Sequence, residues 1–273
     1  MKSGVGSKVI AVLLAIVFVA PTTIVIATSF TSGNMILFPP QGFSFRWYEE
    51  LFTTPRWTNA FATSFQVGIL AALLAMILGT LLGLGAARGR GLVPGWLIMG
   101  LALSPMVVPT VVAAVGFYIA GANMGGVGNW IYLAIAHALM GLPFVFINVL
   151  ASLGSVSESV EEAARISGAS PLSTVLRITL PLILPSALVG GLLAFVTSFD
   201  EYIIASFLTS PWLRTLPVEM FADVTTGAQP STSAVSTLVT AATLTILCLG
   251  AAIPALMRRR RKANLAHAAP GRN

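Results

Sequence analysis

Charge is what this chain has least of. Asp, Glu, Lys and Arg supply only 9% of its 273 residues, apolar types supply 56%, and the mean hydropathy is +0.90. A water-soluble domain of this length could not bury that much apolar side chain, so the balance indicates an integral membrane protein. Ten-residue stretches of alternating polarity are also lacking, which excludes a membrane barrel; uncharged runs of about 20 residues or more, enough to cross roughly 30 Å of hydrocarbon, predict an all-α fold instead. Cysteine occurs once, as Cys248 in an apolar run, so no disulfide can form within the chain and no thiolate pair can hold a metal; it is expected to pack as a small hydrophobe. Histidine occurs only at positions 137 and 267, and neither His-Glu-x-x-His nor Gly-x-Ser-x-Gly is present, which argues against an embedded hydrolase. A phosphate-cradling Gly-x-x-x-x-Gly-Lys-Ser/Thr loop is missing as well, so ATP hydrolysis by this chain is not expected.

What is present is a series of six apolar segments, at about 8–30, 59–87, 93–120, 128–152, 181–208 and 234–257. The first could be mistaken for a signal peptide. Its apolar part, from about Val9 to Ala27, is long for one and five further spans follow, so it is read as an uncleaved helix. With both termini in the cytoplasm, the inner side receives Lys2, Lys8, Arg88, Arg90, Arg165, Arg177, the run Arg258, Arg259, Arg260, Arg261 and Lys262, and Arg272; the outer side receives Arg46, Arg56 and Arg214. That asymmetry obeys the positive-inside rule and predicts a multi-pass membrane protein with both ends in the cytoplasm. The basic run directly follows an apolar span, so it is read as a stop-transfer anchor on anionic lipid and not as a nucleic-acid site. Outside, residues 31–58 carry paired prolines and many aromatics and suggest an interfacial segment, whereas 209–233 read as a short ordered loop.

The longest polar stretch on the inner side is 155–179. Ser157 or Ser159 can cap a helix whose first turn holds Glu161 and Glu162; Ala163 and Ala164 favour the helix, Gly168 can end it left-handed, and Pro171 can open a second short helix to about Thr179. The product is a helix–turn–helix knob suited to docking, against the plainer reading of a solvated connection.

Within EAARISGASPLSTVLRITLPLILP, the positions Glu162, Ala163, Ala164, Gly168, Ile178, Leu180 and Pro181, with Pro185 beyond, resemble the EAA loop of membrane subunits of ATP-binding-cassette importers. The resemblance implies the MetI-like fold of type I importer permeases: one transmembrane domain over 1–273, with a peripheral first helix and outer loop (1–58), a five-helix core (59–257), a cytoplasmic coupling loop (154–180) and a basic tail (258–273). It further implies that Glu162, Ala163, Ala164, Gly168 and Ala169, with Ile178, Leu180 and Pro181, couple the chain to an ATPase. Two ATPase copies would carry the ATP and Mg; a second, similar but distinct permease and an extracytoplasmic solute-binding protein would complete the system, with no cofactor on this chain.

Asp200 and Glu201 fall inside the fifth predicted span, where an ionised carboxylate costs about 2.5–3.5 kcal/mol on insertion scales. With Ser198 and Tyr202 they are candidates for the translocation path or its gate, Asp200 being preferred because adjacent helical residues point about 100° apart; the alternative for the two acids is a structural cap or ion pair. The string Ser198, Phe199, Asp200, Glu201, Tyr202 resembles the spermidine/putrescine branch of the same family, which implies a cationic solute, although permeases for iron, opines or amino-acid conjugates share parts of it. His137 is read as a neutral residue bonding across helices; the rival, an ion-coupled secondary transporter relaying protons through His137, Asp200 and Glu201, leaves the 155–179 stretch without a role. Pro105, Pro109, Pro181 and Pro185 permit kinks, and Gly79 with Gly83 permits close helix packing.

Overall fold

The computed structural model describes residues 5–89 and 93–248; the expectations for Lys2, Arg90, the 258–262 run, His267 and Arg272 lie outside the described residues. Twelve helices follow one another among the described residues: α1 Val5–Ser29, α2 Arg46–Thr53, α3 Pro55–Arg88, α4 Gly95–Val107, α5 Thr110–Met124, α6 Trp130–Leu153, α7 Glu158–Ile166, α8 Pro171–Thr174, α9 Leu180–Phe199, α10 Ile203–Leu208, α11 Leu216–Thr226 and α12 Pro230–Cys248. One isolated bridge, Ser210 with Leu213, is the only strand-like pairing among them. The described residues divide into two compact units, the first within Met1–Ala62 and Leu216–Leu244 and the second within Thr63–Thr215 and Thr245–Asn273.

In the first unit, every residue of α1 from Lys8 to Ile24 is exposed, as suits a helix surrounded by hydrocarbon. Its end is tied to the following loop: Ser29 and Tyr48 share a hydroxyl hydrogen bond of 2.7 Å, and Trp47 Nε1 donates to the Thr31 carbonyl at 2.9 Å. Phe30, Phe43, Phe45 and Tyr48 pack ring on ring beside it, with the Phe30 centroid 5.2 Å from both Phe43 and Tyr48. The expected loop at 209–233 instead contains α11. Glu219 and Asp223, four residues apart, share a face of that helix and both pair with Arg56, while Asp223 also accepts from Thr232 Oγ1 and Gln229 N. Those long-range partners stabilise a helix that local sequence does not announce.

In the second unit α6 is the centre, with 61% of its most apolar window buried. Asn129 starts it by accepting hydrogen bonds from Ile131 N (2.8 Å) and Tyr132 N (3.4 Å). Small residues let its neighbours approach closely. A Cβ at Gly79 would stand 2.8 Å from Val145 Cβ and one at Gly83 2.7 Å from Val149 Cγ1, so this glycine pair seats α3 on α6.

Two predicted spans differ from a straight crossing. The third, expected at 93–120, is α4 and α5 bent by 100°. Pro109 has no N–H to continue α4 and forces the residue before it out of the helical region, and Val108 is accordingly extended at φ −74°, ψ 125°. The fifth, expected at 181–208, begins earlier and ends sooner: Pro171–Phe199 runs as one 29-residue helix, stops at Asp200, and resumes as α10 at Ile203. The second knob helix therefore does not stop near Thr179. It continues into the membrane through a π-helical turn, Val175–Thr179, in which Leu180 N donates to the Val175 carbonyl. Pro181 offers no N–H to the Arg177 carbonyl four residues back and its ring crowds that group; the wider π turn accommodates both defects.

Candidate functional site

The knob is built by local capping. Ser157 accepts from Ser159 N to begin α7, whose first turn holds Glu158 and Glu161. Gly168 ends it at φ +91°, a left-handed conformation that side chains resist, and Ala169 N closes the turn on the Ala164 carbonyl at 3.0 Å. Ser170 then accepts from Ser173 N, with Pro171 at the start of α8. Glu162, Ala163 and Gly168 are exposed and Ala164 and Ala169 are half-buried, so the five expected docking positions lie in the α7 turn and its bend. Ile178 and Leu180 are half-buried on the stem and Pro181 is exposed there. Flanking the bend, Ile166 is 88% exposed and Leu172 68% exposed, apolar tips on an otherwise polar projection.

The root of the knob contains residues that sequence reasoning missed. Glu161, next to the exposed Glu162, is buried at 4% exposure, with Oε2 3.2 Å from Arg88 Nε and Oε1 accepting from Thr179 Oγ1 at 2.9 Å. Arg88, counted from sequence only as an inner positive charge, also reaches Glu158 Oε1 at 3.0 Å and donates to the Leu153 and Val156 carbonyls at 3.3 and 2.9 Å. No spacing rule could have paired Arg88 with a glutamate 73 residues away.

The other predicted cluster sits at the break between α9 and α10, which borders a cleft of about 510 Å³ lined by Met106, Thr110, Phe144, Thr197, Asp200, Glu201 and Tyr202, among others. The two acids have different surroundings. Glu201 accepts from Ile204 N (2.9 Å) and Ala205 N (3.0 Å) and so caps α10, and its Oε2 lies 3.5 Å from His137 Nε2. The Asp200 carboxylate is exposed and has no side-chain partner among the described residues. Neither acid lies within a helix, contrary to the expectation of an unbroken span, because the helix ends at Phe199. Ser198 is buried and shares a 2.8 Å hydrogen bond with His137 Nδ1, so His137 bonds across α6 and α9; Tyr202 borders the cleft.

The family model described as the binding-protein-dependent transport system inner membrane component matches residues 79–262. The chain is similar to the putrescine transport system permease protein PotI of Escherichia coli, 32% identical over 244 residues that cover 85% of each chain. It is similar also to the spermidine/putrescine transport system permease protein PotC of Haemophilus influenzae, 31% identical over 233 residues, 84% of this chain and 88% of that one. In fold it is similar to a chain of a bacterial ABC transporter involved in the import of the acidic polysaccharide alginate, with a TM-score of 0.66 at 18% identity over 93% of this chain and 95% of that one.

Proposed function

This chain belongs to the binding-protein-dependent transport system inner membrane component family, a transporter subunit and not an enzyme, and from that membership we propose that its solute is a polyamine cation such as putrescine or spermidine. One observation carries the reading onto this molecule: the break after Phe199 leaves the Asp200 carboxylate unpaired at the edge of a cleft. An acid without a cation of its own attracts amines and repels anions, so its field favours the solutes named for the two polyamine relatives. Asp200 bears on the path directly; Glu201, Ser198 and Tyr202 shape the break around it.

The working assembly contains a second permease, two ATPase copies that hold ATP and Mg, and an extracytoplasmic binding protein. Both termini of this chain lie in the cytoplasm, which places the knob there too. Glu162, Ala163, Ala164, Gly168 and Ala169 dock into the ATPase, and the exposed Ile166 and Leu172 supply apolar contact area around them. The stem that carries Ile178, Leu180 and Pro181 joins this surface to Asp200: at about 1.5 Å per residue, Pro171–Phe199 is a rod of about 43 Å with docking surface at one end and acid at the other. ATP-driven closure of the ATPases displaces the rod and switches access to the cleft.

The test is ATP hydrolysis by the reconstituted complex of this chain with its second permease, ATPase and binding protein. Putrescine or spermidine should stimulate it, and uncharged solutes of similar size should not. Stimulation by a different solute alone would remove the polyamine assignment and keep the importer.

A further inference from the structure

We infer that Arg88, Glu161 and Thr179 form the joint that passes knob motion into the membrane helices, so that these three are positioning residues for energy coupling. The inference rests on the docking role proposed for the knob and adds a route and specific residues to it.

The geometry is that of a convergence point. The Arg88 guanidinium, at the last residue of α3, engages the carbonyls of Leu153 at the end of α6 and Val156 beyond it, and the carboxylates of Glu158 and Glu161 in the first turn of α7. Glu161 then accepts from the Thr179 hydroxyl, on the final residue of the π turn. One side chain thus ties the ends of two membrane helices to the knob, and through Glu161 to the helix that runs on to Asp200.

Stability alone is a poor explanation for this arrangement. A buried ion pair loses most of its Coulombic gain to desolvation, and an apolar contact of the same size would hold a loop equally well. What directional, charge-assisted hydrogen bonds add is fixed distance and angle, so that a displacement at one end arrives at the other without slack. The attachment is also specific in position. Glu162, one residue on, is exposed and belongs to the docking surface, whereas Glu161 is turned inward to the joint. Adjacent residues of one helix therefore divide receiving the push from passing it on.

The experiment uses the full complex in vesicles, in a Cys248→Ser background with Thr197→Cys on the cleft as a reporter of access. Two quantities are read: ATPase copurifying with the permease, and the ratio of maleimide labelling rates with and without ATP, which needs no knowledge of the solute. Arg88→Gln and Glu161→Gln should retain ATPase while the ratio collapses about tenfold towards one, and Thr179→Val, which removes a single hydroxyl, should reduce it about threefold. A plain structural staple would instead lower the yield of complex and leave the ratio intact in what assembles; that result, or a reporter that ignores ATP in the unsubstituted chain, overturns the inference. Should Arg88→Gln fail to assemble, Thr179→Val decides alone, an unchanged ratio counting against the joint. Failure of the unsubstituted chain to retain any ATPase would bring down the docking reading itself.

Discussion

Gly190 of α9 lies against the backbone of Val145 of α6: a Cβ on Gly190 would stand 2.6 Å from Val145 Cα and 3.1 Å from the Phe144 carbonyl oxygen. Backbone cannot yield as a side chain can, so α9 holds its position on α6 only while residue 190 has no side chain.

Gly190→Ala should therefore destabilise the helix pair by about 1–3 kcal/mol, the cost of overpacking a well-filled contact. Thermal unfolding in detergent should show a lower midpoint than the unsubstituted chain. Gly100→Ala, where a Cβ meets nothing within 4 Å and alanine favours the helix, should not lower the midpoint.

Asp200→Asn removes the unpaired charge at the cleft and little packing, since the residue is exposed. Uptake of labelled putrescine by reconstituted vesicles should fall about tenfold, equivalent to ~1.4 kcal/mol, with assembly of the complex unaffected. Normal uptake would return Asp200 to a structural role. Glu201→Gln, by weakening the cap on α10, should act on stability first.

Gly168→Asp imposes a side chain on a residue at φ +91°, a strain of about 1–2 kcal/mol confined to the bend of the knob. The protein should insert at normal levels while solute-stimulated ATP hydrolysis drops. Stimulation that stays at the level of the unsubstituted chain would contradict the docking assignment.

Arg56→Met removes the guanidinium that pairs with Glu219 and Asp223, whose side chains are 8% and 3% exposed. Removing one partner of a buried pair costs about 3–5 kcal/mol, and because the Arg56 side chain is itself 36% exposed, about 1–2 kcal/mol is expected here. A thermal melt should detect a fall of several degrees.

The membrane spans were legible because they are encoded locally, residue after residue of apolar side chain, and the knob was legible because caps, a glycine bend and a proline start act over four residues at most. The bend at Pro109 was visible as a possibility, since proline states what it cannot do but not how far the chain turns. Three features were hidden for one reason. Helix α11, the root contacts of Arg88 and the burial of Glu161 all depend on partners far along the chain: Arg56 lies 163 residues from Glu219 and Arg88 lies 73 from Glu161. The early end of the fifth span was hidden differently. Ser198 is held by His137 and Glu201 turns back to cap α10, so side-chain bonds end a helix that hydropathy alone would have continued.

The π turn at Val175–Thr179 sets rotational phase. Accommodating one extra residue in a turn rotates everything beyond it by about 100° relative to an uninterrupted α-helix, so the direction in which Gly190 and Asp200 point is fixed partly by a proline that touches neither. Replacing Pro181 with alanine would let the turn relax to ordinary pitch, and the helix would then have to choose between keeping Thr179 on Glu161 and keeping Gly190 on Val145. In that sense the motif residue works as a timing mark, aligning the face that receives force with the face that acts on the solute.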